Sequence, residues 1–166
     1  YIIGNLKESK FGVPKKDLIR GFEVLQKYGA KKFGLHIMAV SNELNPHNHI
    51  KVAEIMFNLV LEIHTNLGIN FDFVDLGGGF GIPYHKLSGE SRLDLNALGQ
   101  GLLNLIHDFI AQYGRPVKIK IEPGRYIVAE CGILLGTVYA KKVNNGVLYA
   151  GTDIGFNVLA RPMLYD

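Results

Sequence analysis

The sequence predicts an α/β fold in which parallel strands alternate with helices, and the order of its apolar segments is the main evidence. Short apolar runs alternate with longer amphipathic segments as helix, strand, helix, strand, helix, strand. Parallel strands joined by helices form right-handed crossovers, so these segments build a single parallel sheet. The pattern alone leaves two arrangements open, an open doubly wound sheet and part of a (β/α)8 barrel.

The first helix is expected to begin near Pro14 and to end before Gly29, because proline suits the first helical turn and glycine commonly follows the last. Its predicted buried face consists of Leu18, Phe22 and Leu25. The apolar run at residues 32–40 then predicts a buried strand.

A second helix is predicted over residues 48–67, and its expected core positions are Val52, Ile55, Met56, Leu59 and Ile63. The next predicted strand covers residues 71–76 and runs into a glycine-rich loop. A third helix over residues 96–113 and a strand over residues 117–121 complete the alternation.

The pattern changes after residue 130, where two strands are predicted over residues 133–143 and 146–150. Asn144, Asn145 and Gly146 lie between them, and an Asn-Gly pair is a strong hairpin signal. We therefore divide the chain into residues 1–130, of α/β type, and residues 131–166, a transition into β structure.

Composition excludes several functional classes. The net charge is +3 and no basic run is interleaved with aromatic residues, so a nucleic-acid partner is not expected. No apolar run has the length of a membrane span. Cys131 is the only cysteine, which excludes an internal disulfide and fits a cytoplasmic protein. We expect its thiol to be buried and inert.

Chemically distinctive residues lie on or just past each predicted strand of the first part. They are His36 and Ser41, the glycines Gly77–Gly79, and the segment Glu122, Pro123, Gly124 and Arg125. The carboxyl ends of parallel strands lie at one edge of the sheet, so we expect these groups to form one site.

Consecutive glycines allow backbone N–H groups to surround an anion such as phosphate, although a flexible turn is the alternative. Glu122 and Arg125 place a carboxylate and a guanidinium at one strand end, for ligand binding or for a local ion pair. His36 suits acid–base or pocket-lining roles, or a structural one. Ser41 and Asn42 suit phosphate binding or turn capping.

These motifs, in this order, resemble the fold-type III pyridoxal 5'-phosphate (PLP) decarboxylases, and diaminopimelate decarboxylases above all. The segments that carry the resemblance are Ser9-Lys10-Phe11-Gly12, Gly34-Leu35-His36, Ser41, residues 75–82 (DLGGGFGI), residues 122–125 (EPGR), Asp153 and residues 161–165 (RPMLY). The resemblance implies the second half of an alanine racemase-like (β/α)8 barrel over residues 1–130, followed by the start of a β domain. It also implies a cytoplasmic homodimer.

The resemblance further implies a cofactor, PLP, and a substrate, meso-diaminopimelate, which is converted to L-lysine and CO2. The implied phosphate ligands are Ser41, Gly77, Gly78, Gly79, Gly124 and Arg125, and Pro123 is implied to belong to the same cofactor site. Glu122 is implied to face the pyridine nitrogen and, with His36, to serve catalysis. Arg125, Arg161 and Tyr165 are implied to bind substrate carboxylates.

Two departures from the family pattern bear on activity. Met38 stands where the family has a histidine that stacks on the cofactor ring, and Val40 replaces a glycine. No lysine here has the context of the Schiff-base lysine, so we expect this polypeptide alone to be inactive. The alternatives are a non-catalytic PLP- or phosphate-binding module, and a related decarboxylase or racemase for other basic amino acids.

Overall fold

The computed structural model describes residues 11–85 and 89–160. The chain divides into two compact units, Tyr1–Glu130 and Cys131–Asp166. The helices of the first unit are α1 (Lys15–Lys27), α2 (Pro46–Leu67), α3 (Leu95–Tyr113) and a short α4 (Gly124–Val128). Its strands are β1 (Gly34–His36), β2 (Phe73–Asp75) and β3 (Lys118–Lys120).

The three strands of the first unit form a parallel sheet in the order β1-β2-β3. This confirms the predicted alternation of helices and parallel strands. Each strand is shorter than predicted, with three residues in regular pairing. Each apolar run is longer than its strand because it continues into a loop that stays packed at the sheet edge. Apolar periodicity does not distinguish a strand from such a packed loop.

Side-chain caps explain where the two longest helices begin. The side chain of Asn45 accepts a hydrogen bond from the N–H of His47 at the start of α2. The Asp94 carboxylate accepts two hydrogen bonds at the start of α3, from Asn96 and Ala97. Such caps satisfy N–H groups that have no partner within the helix.

One face of the sheet packs against the helices and forms the core. Leu35 and Val74 are buried on this face, and Ile119 is half-buried beside them. The helical side of the core consists of Phe22, Ala53, Met56, Phe57, Val60, Ile63, Phe109 and Tyr113. Leu25 and Ile55 are each 51% exposed, so their prediction as core residues is wrong. A helix buries only the stripe that faces the sheet, and these two positions lie outside it.

The opposite face of the sheet carries the polar side chains. His36, Asp75 and Lys120 are neighbours in the strand register, and alternate residues of a strand share one face. Two residues earlier on the same face of the sheet, the Phe73 ring lies over Gly34, where an added Cβ would collide with it. The Lys120 Nζ is 3.8 Å from the centre of the Phe73 ring, which is within cation–π range.

The second unit contains an antiparallel hairpin of β4 (Val138–Asn144) and β5 (Val147–Thr152). Asn145 and Gly146 form its turn with φ angles of 50° and 80°, as expected for a tight hairpin turn. The predicted hairpin is thus confirmed, although β4 begins later than residue 133.

Cys131 is exposed, so the expectation of a buried thiol is wrong.

Among the residues that the structure describes, no helix is both long and apolar enough to cross a membrane.

Candidate functional site

The carboxyl ends of the three strands lie side by side because their backbone hydrogen bonding continues past the last paired residues. The Ile37 N–H donates to the Asp75 carbonyl at 3.1 Å, and the Leu76 N–H donates to the Lys120 carbonyl at 2.9 Å. The Glu122 N–H donates to the Gly77 carbonyl at 2.8 Å. The predicted site residues that follow the strands are therefore brought to one edge of the sheet.

The glycine loop, residues 77–82, is tightly packed. A Cβ on Gly77, Gly78 or Gly79 would collide with a backbone carbonyl, that of Ile37, Glu122 or Val40 respectively. Gly77 also has a φ of 71°, a conformation that other residues rarely adopt. The alternative of a merely flexible turn does not fit these contacts, because both neighbouring backbones approach the loop closely.

Two N–H groups of this loop remain available for a ligand. The Gly77 N–H donates to Asp75 Oδ1 at 3.0 Å, but within the described chain the N–H groups of Gly78 and Gly79 donate to no acceptor. Gly78 is buried, and buried N–H groups nearly always have a partner. The loop therefore suits a bound anion.

The loop after β1 is fastened to the glycine loop by Asn42. Its Nδ2 donates to the Ile82 carbonyl at 3.2 Å, and its Oδ1 accepts from the Ile82 N–H at 3.0 Å. Of the two roles expected for Asn42, phosphate binding and turn capping, these contacts favour the structural one, since both ends of its amide bond Ile82. Ser41 precedes it and is half-buried, and its hydroxyl has no hydrogen-bond partner in the described ranges.

Three ionisable side chains meet at the strand ends. His36 Nε2 lies 3.4 Å from Glu122 Oε2, and one ligand-type atom from each of His36, Asp75 and Glu122 lies within 4.8 Å of the others. His36 and Glu122 are about half exposed, whereas Asp75 is buried. Asp75 was not among the predicted site residues. The feature that could have identified it is a carboxylate at the end of an apolar strand, directly before the glycines.

Arg125 lies in α4, which begins directly after Glu122 and Pro123. The Gly124 N–H donates to the Glu122 carbonyl at 2.9 Å, and this bond turns the chain from the strand into the helix. The Arg125 guanidinium carbon lies 5.8 Å from the ring centre of Tyr84. Arg161 and Tyr165, the other two predicted carboxylate-binding residues, lie outside the described residues.

Glu43 joins the glycine loop to the start of α2. Its N–H donates to the Gly79 carbonyl at 2.8 Å, and its carboxylate accepts from the Asn45 N–H and from Asn48 Nδ2, both at 2.8 Å. Burial raises the pKa of the Glu43 carboxyl, but these hydrogen bonds outweigh it and hold the pKa below its ordinary value.

This lowered pKa predicts a contribution to acid sensitivity. A carboxyl whose pKa is lower in the folded state stabilises the fold above its unfolded pKa, and the contribution is lost as the pH falls through the folded pKa. We expect Glu43→Gln to lose less stability than the unmodified chain between about pH 7 and about pH 3. Urea unfolding at both pH values measures this, with Glu54→Gln in α2 as the control. An equal loss in Glu43→Gln and the unmodified chain would contradict it.

Comparisons with known proteins agree on one family. Residues 1–129 match the family described as pyridoxal-dependent decarboxylase, pyridoxal binding domain. A diaminopimelate decarboxylase of Thermoplasma acidophilum is 39% identical over 160 residues, which cover 95% of this chain and 36% of that protein. The corresponding protein of Methanothermobacter thermautotrophicus is 34% identical over 159 residues, with 95% and 36% covered.

The structural likeness extends over the same region. The crystal structure of diaminopimelate decarboxylase from Helicobacter pylori complexed with L-lysine has a TM-score of 0.79 at 32% identity, covering 99% of this chain and 39% of that one. The prediction of part of an alanine racemase-like (β/α)8 barrel is confirmed, and the doubly wound sheet is excluded. The chain spans little more than a third of the length of the relatives that it matches.

Proposed function

The chain belongs to the pyridoxal-dependent decarboxylases, and we propose that it supplies the phosphate-binding and ring-binding part of their cofactor site, in an enzyme that acts on diaminopimelate. Residues 1–130 then form the second half of the barrel, and residues 131–166 begin a β domain. The complete enzyme is a cytoplasmic carboxy-lyase that assembles as a homodimer. The dimer rests on the family resemblance alone.

The observation that carries the proposal is the attachment of Glu122 to the glycine loop. The Glu122 N–H bonds the Gly77 carbonyl, and Gly78 packs on the Glu122 carbonyl so closely that no side chain fits between them. The position of the Glu122 carboxylate is thus fixed relative to the anion-binding loop. A ligand with a phosphate and a basic ring nitrogen matches this pair.

The residues present fit PLP. The N–H groups of Gly78 and Gly79, which have no partner in the described chain, are available to phosphate oxygens. Ser41, Gly124 and Arg125 are the other proposed phosphate ligands, with Pro123 shaping their approach. Met38 is 47% exposed at the same edge, and its thioether suits packing against an aromatic ring.

Bound PLP supplies an electron sink for the negative charge that is left when a carboxylate departs as CO2. Glu122 holds a proton on the ring nitrogen through a charge-assisted hydrogen bond, which keeps the ring cationic. The His36 imidazole contacts the Glu122 carboxylate through Nε2. Arg125, Arg161 and Tyr165 bind the carboxylates of the substrate, and a diacid such as diaminopimelate suits two such groups.

We expect the chain to bind pyridoxine 5'-phosphate, an analogue without the aldehyde, and not to release CO2 from diaminopimelate by itself. Isothermal titration calorimetry measures binding to the unmodified chain, to Glu122→Gln and to Glu62→Gln, a control in α2 whose carboxylate pairs with Lys15 of α1. Because hydrogen bonds to charged groups contribute about 1.5–3 kcal/mol, Glu122→Gln is expected to weaken binding about tenfold or more.

Two results would count against the proposed function. One is binding of pyridoxine as tight as that of its 5'-phosphate, because the phosphate loop then has no role. The other is equal binding by Glu122→Gln and the unmodified chain. Release of CO2 by the purified chain would contradict only the expected lack of turnover.

A further inference from the structure

Asp75 is a buried carboxylate that the proposed cofactor contacts do not use. One of its oxygens, Oδ1, accepts the N–H of Gly77, which uses only part of the hydrogen-bonding capacity of a carboxylate. Its other oxygen has no hydrogen bond within the described ranges, and it reaches solvent, because no fully buried side-chain oxygen of the described residues lacks a partner. A buried carboxylate is costly unless nearby groups compensate its charge, and the groups near it are those of the proposed site.

The neighbours of Asp75 on the polar face are His36 and Lys120 in the register, and Glu122 beyond the end of β3. His36 and Glu122 each offer an atom within 4.8 Å of the Asp75 carboxylate. Lys120 is directed elsewhere, since its Nζ lies over the Phe73 ring. Two carboxylates and one imidazole therefore share a space only a few ångströms across.

We propose that Asp75 and His36 are positioning residues that act on the ring nitrogen through Glu122. The proposal rests on the proposed function, because it concerns the residue assigned to that nitrogen. Asp75 adds a second negative charge, which favours a cation at Glu122 and so favours the protonated ring. His36 lies against one carboxylate oxygen of Glu122, with its Nε2 3.4 Å from that oxygen, and leaves the other oxygen to the ring.

Two matched substitutions separate the charge of Asp75 from its hydrogen bond. Asp75→Asn removes the charge but keeps an oxygen that can accept the Gly77 N–H, so the glycine loop is preserved. Asp72→Asn is the matched control, because Asp72 Oδ2 accepts the Phe33 N–H at 2.9 Å near the other end of the same strand. Both changes neutralise one carboxylate and retain one backbone hydrogen bond.

The readout is the ¹⁵N chemical shift of pyridoxine 5'-phosphate labelled at the ring nitrogen, which reports whether that nitrogen is protonated. We expect Asp75→Asn to lower the ratio of protonated to unprotonated ring roughly 3- to 10-fold, as for a charge a few ångströms away in a partly solvated site. Asp72→Asn is expected to leave the ratio unchanged. An unchanged ratio in Asp75→Asn would overturn the proposal.

For His36, rescue by a conservative variant separates positioning from packing. His36→Gln retains a side-chain N–H for Glu122 and is expected to keep the ratio close to that of the unmodified chain, whereas His36→Ala lowers it. Equal ratios in His36→Ala and the unmodified chain would overturn the role of His36.

A measurement without cofactor distinguishes this proposal from the proposed function. In the ligand-free chain, Glu122→Gln and Asp75→Asn are each expected to shift the ¹⁵N resonances of the His36 ring, and Asp72→Asn is not. Unmoved resonances would overturn the proposal whether or not the analogue binds. If the resonances move but no analogue binds, the coupling of the three residues is supported and the proposed function fails.

Discussion

Replacing Gly77 with alanine is expected to destabilise the chain by about 3 kcal/mol and to abolish binding of pyridoxine 5'-phosphate. Gly77 has a φ of 71°, and a left-handed conformation costs other residues roughly 1–2 kcal/mol. The added Cβ would also collide with the Ile37 carbonyl oxygen, and overpacking of this kind typically costs about 1–3 kcal/mol. The two costs have separate origins, so we add them.

Gly99→Ala is the control for this substitution. Gly99 lies within α3, has no atom within 4 Å of an added Cβ and has no positive φ. Alanine there is expected to stabilise the chain by about 0.5–1 kcal/mol, the usual gain for glycine to alanine in a helix. Urea unfolding measures both variants, and a Gly77→Ala chain as stable as the unmodified one would contradict the packing described for the loop.

Phe57→Ala is expected to cost about 3–5 kcal/mol, the usual range for a buried phenylalanine. Phe57 is 2% exposed in α2, and its ring stacks on Phe109 of α3 with centroids 4.4 Å apart. Phe109 in turn stacks on Tyr113 at 5.2 Å. The loss therefore combines the lost burial of one ring with a cavity between the two helices.

Ile55→Ala tests whether burial, rather than residue type, sets this cost. Ile55 is 51% exposed on the same helix, so its truncation is expected to cost less than about 1 kcal/mol. Urea unfolding of both variants gives the two values. If Phe57→Ala and Ile55→Ala lost equal stability, the assignment of the core would be wrong.

Much of the fold could be predicted because its signals are local. Helical periodicity predicted the three long helices, with a glycine stop at Gly29 for the first, and the Asn145-Gly146 pair predicted the hairpin turn. The lengths of the strands could not be predicted, because the apolar runs continue into packed loops. Leu25 and Ile55 were misplaced because helical spacing identifies an apolar stripe but not how wide a stripe its neighbours cover.

The candidate site was predictable only as a set of strand ends. Glu122 and Gly77–Gly79 were selected from chemistry, and the structure brings them together. The place of Asp75 depends on the register that aligns it with His36, and register is a property of tertiary packing. The role of Asn42 stayed open between two alternatives for a similar reason, because its partner Ile82 is 40 residues away in the chain.

The central claim is that the glycine loop and Glu122 form one half of a cofactor site. The most direct test is to map, by backbone amide NMR, where pyridoxine 5'-phosphate binds this chain. We predict the largest shifts at the N–H groups of Gly78 and Gly79, with smaller ones at Glu122. Shifts centred on Arg115 and Lys118, at the opposite end of the sheet, or no shifts at ligand saturation, would contradict the claim.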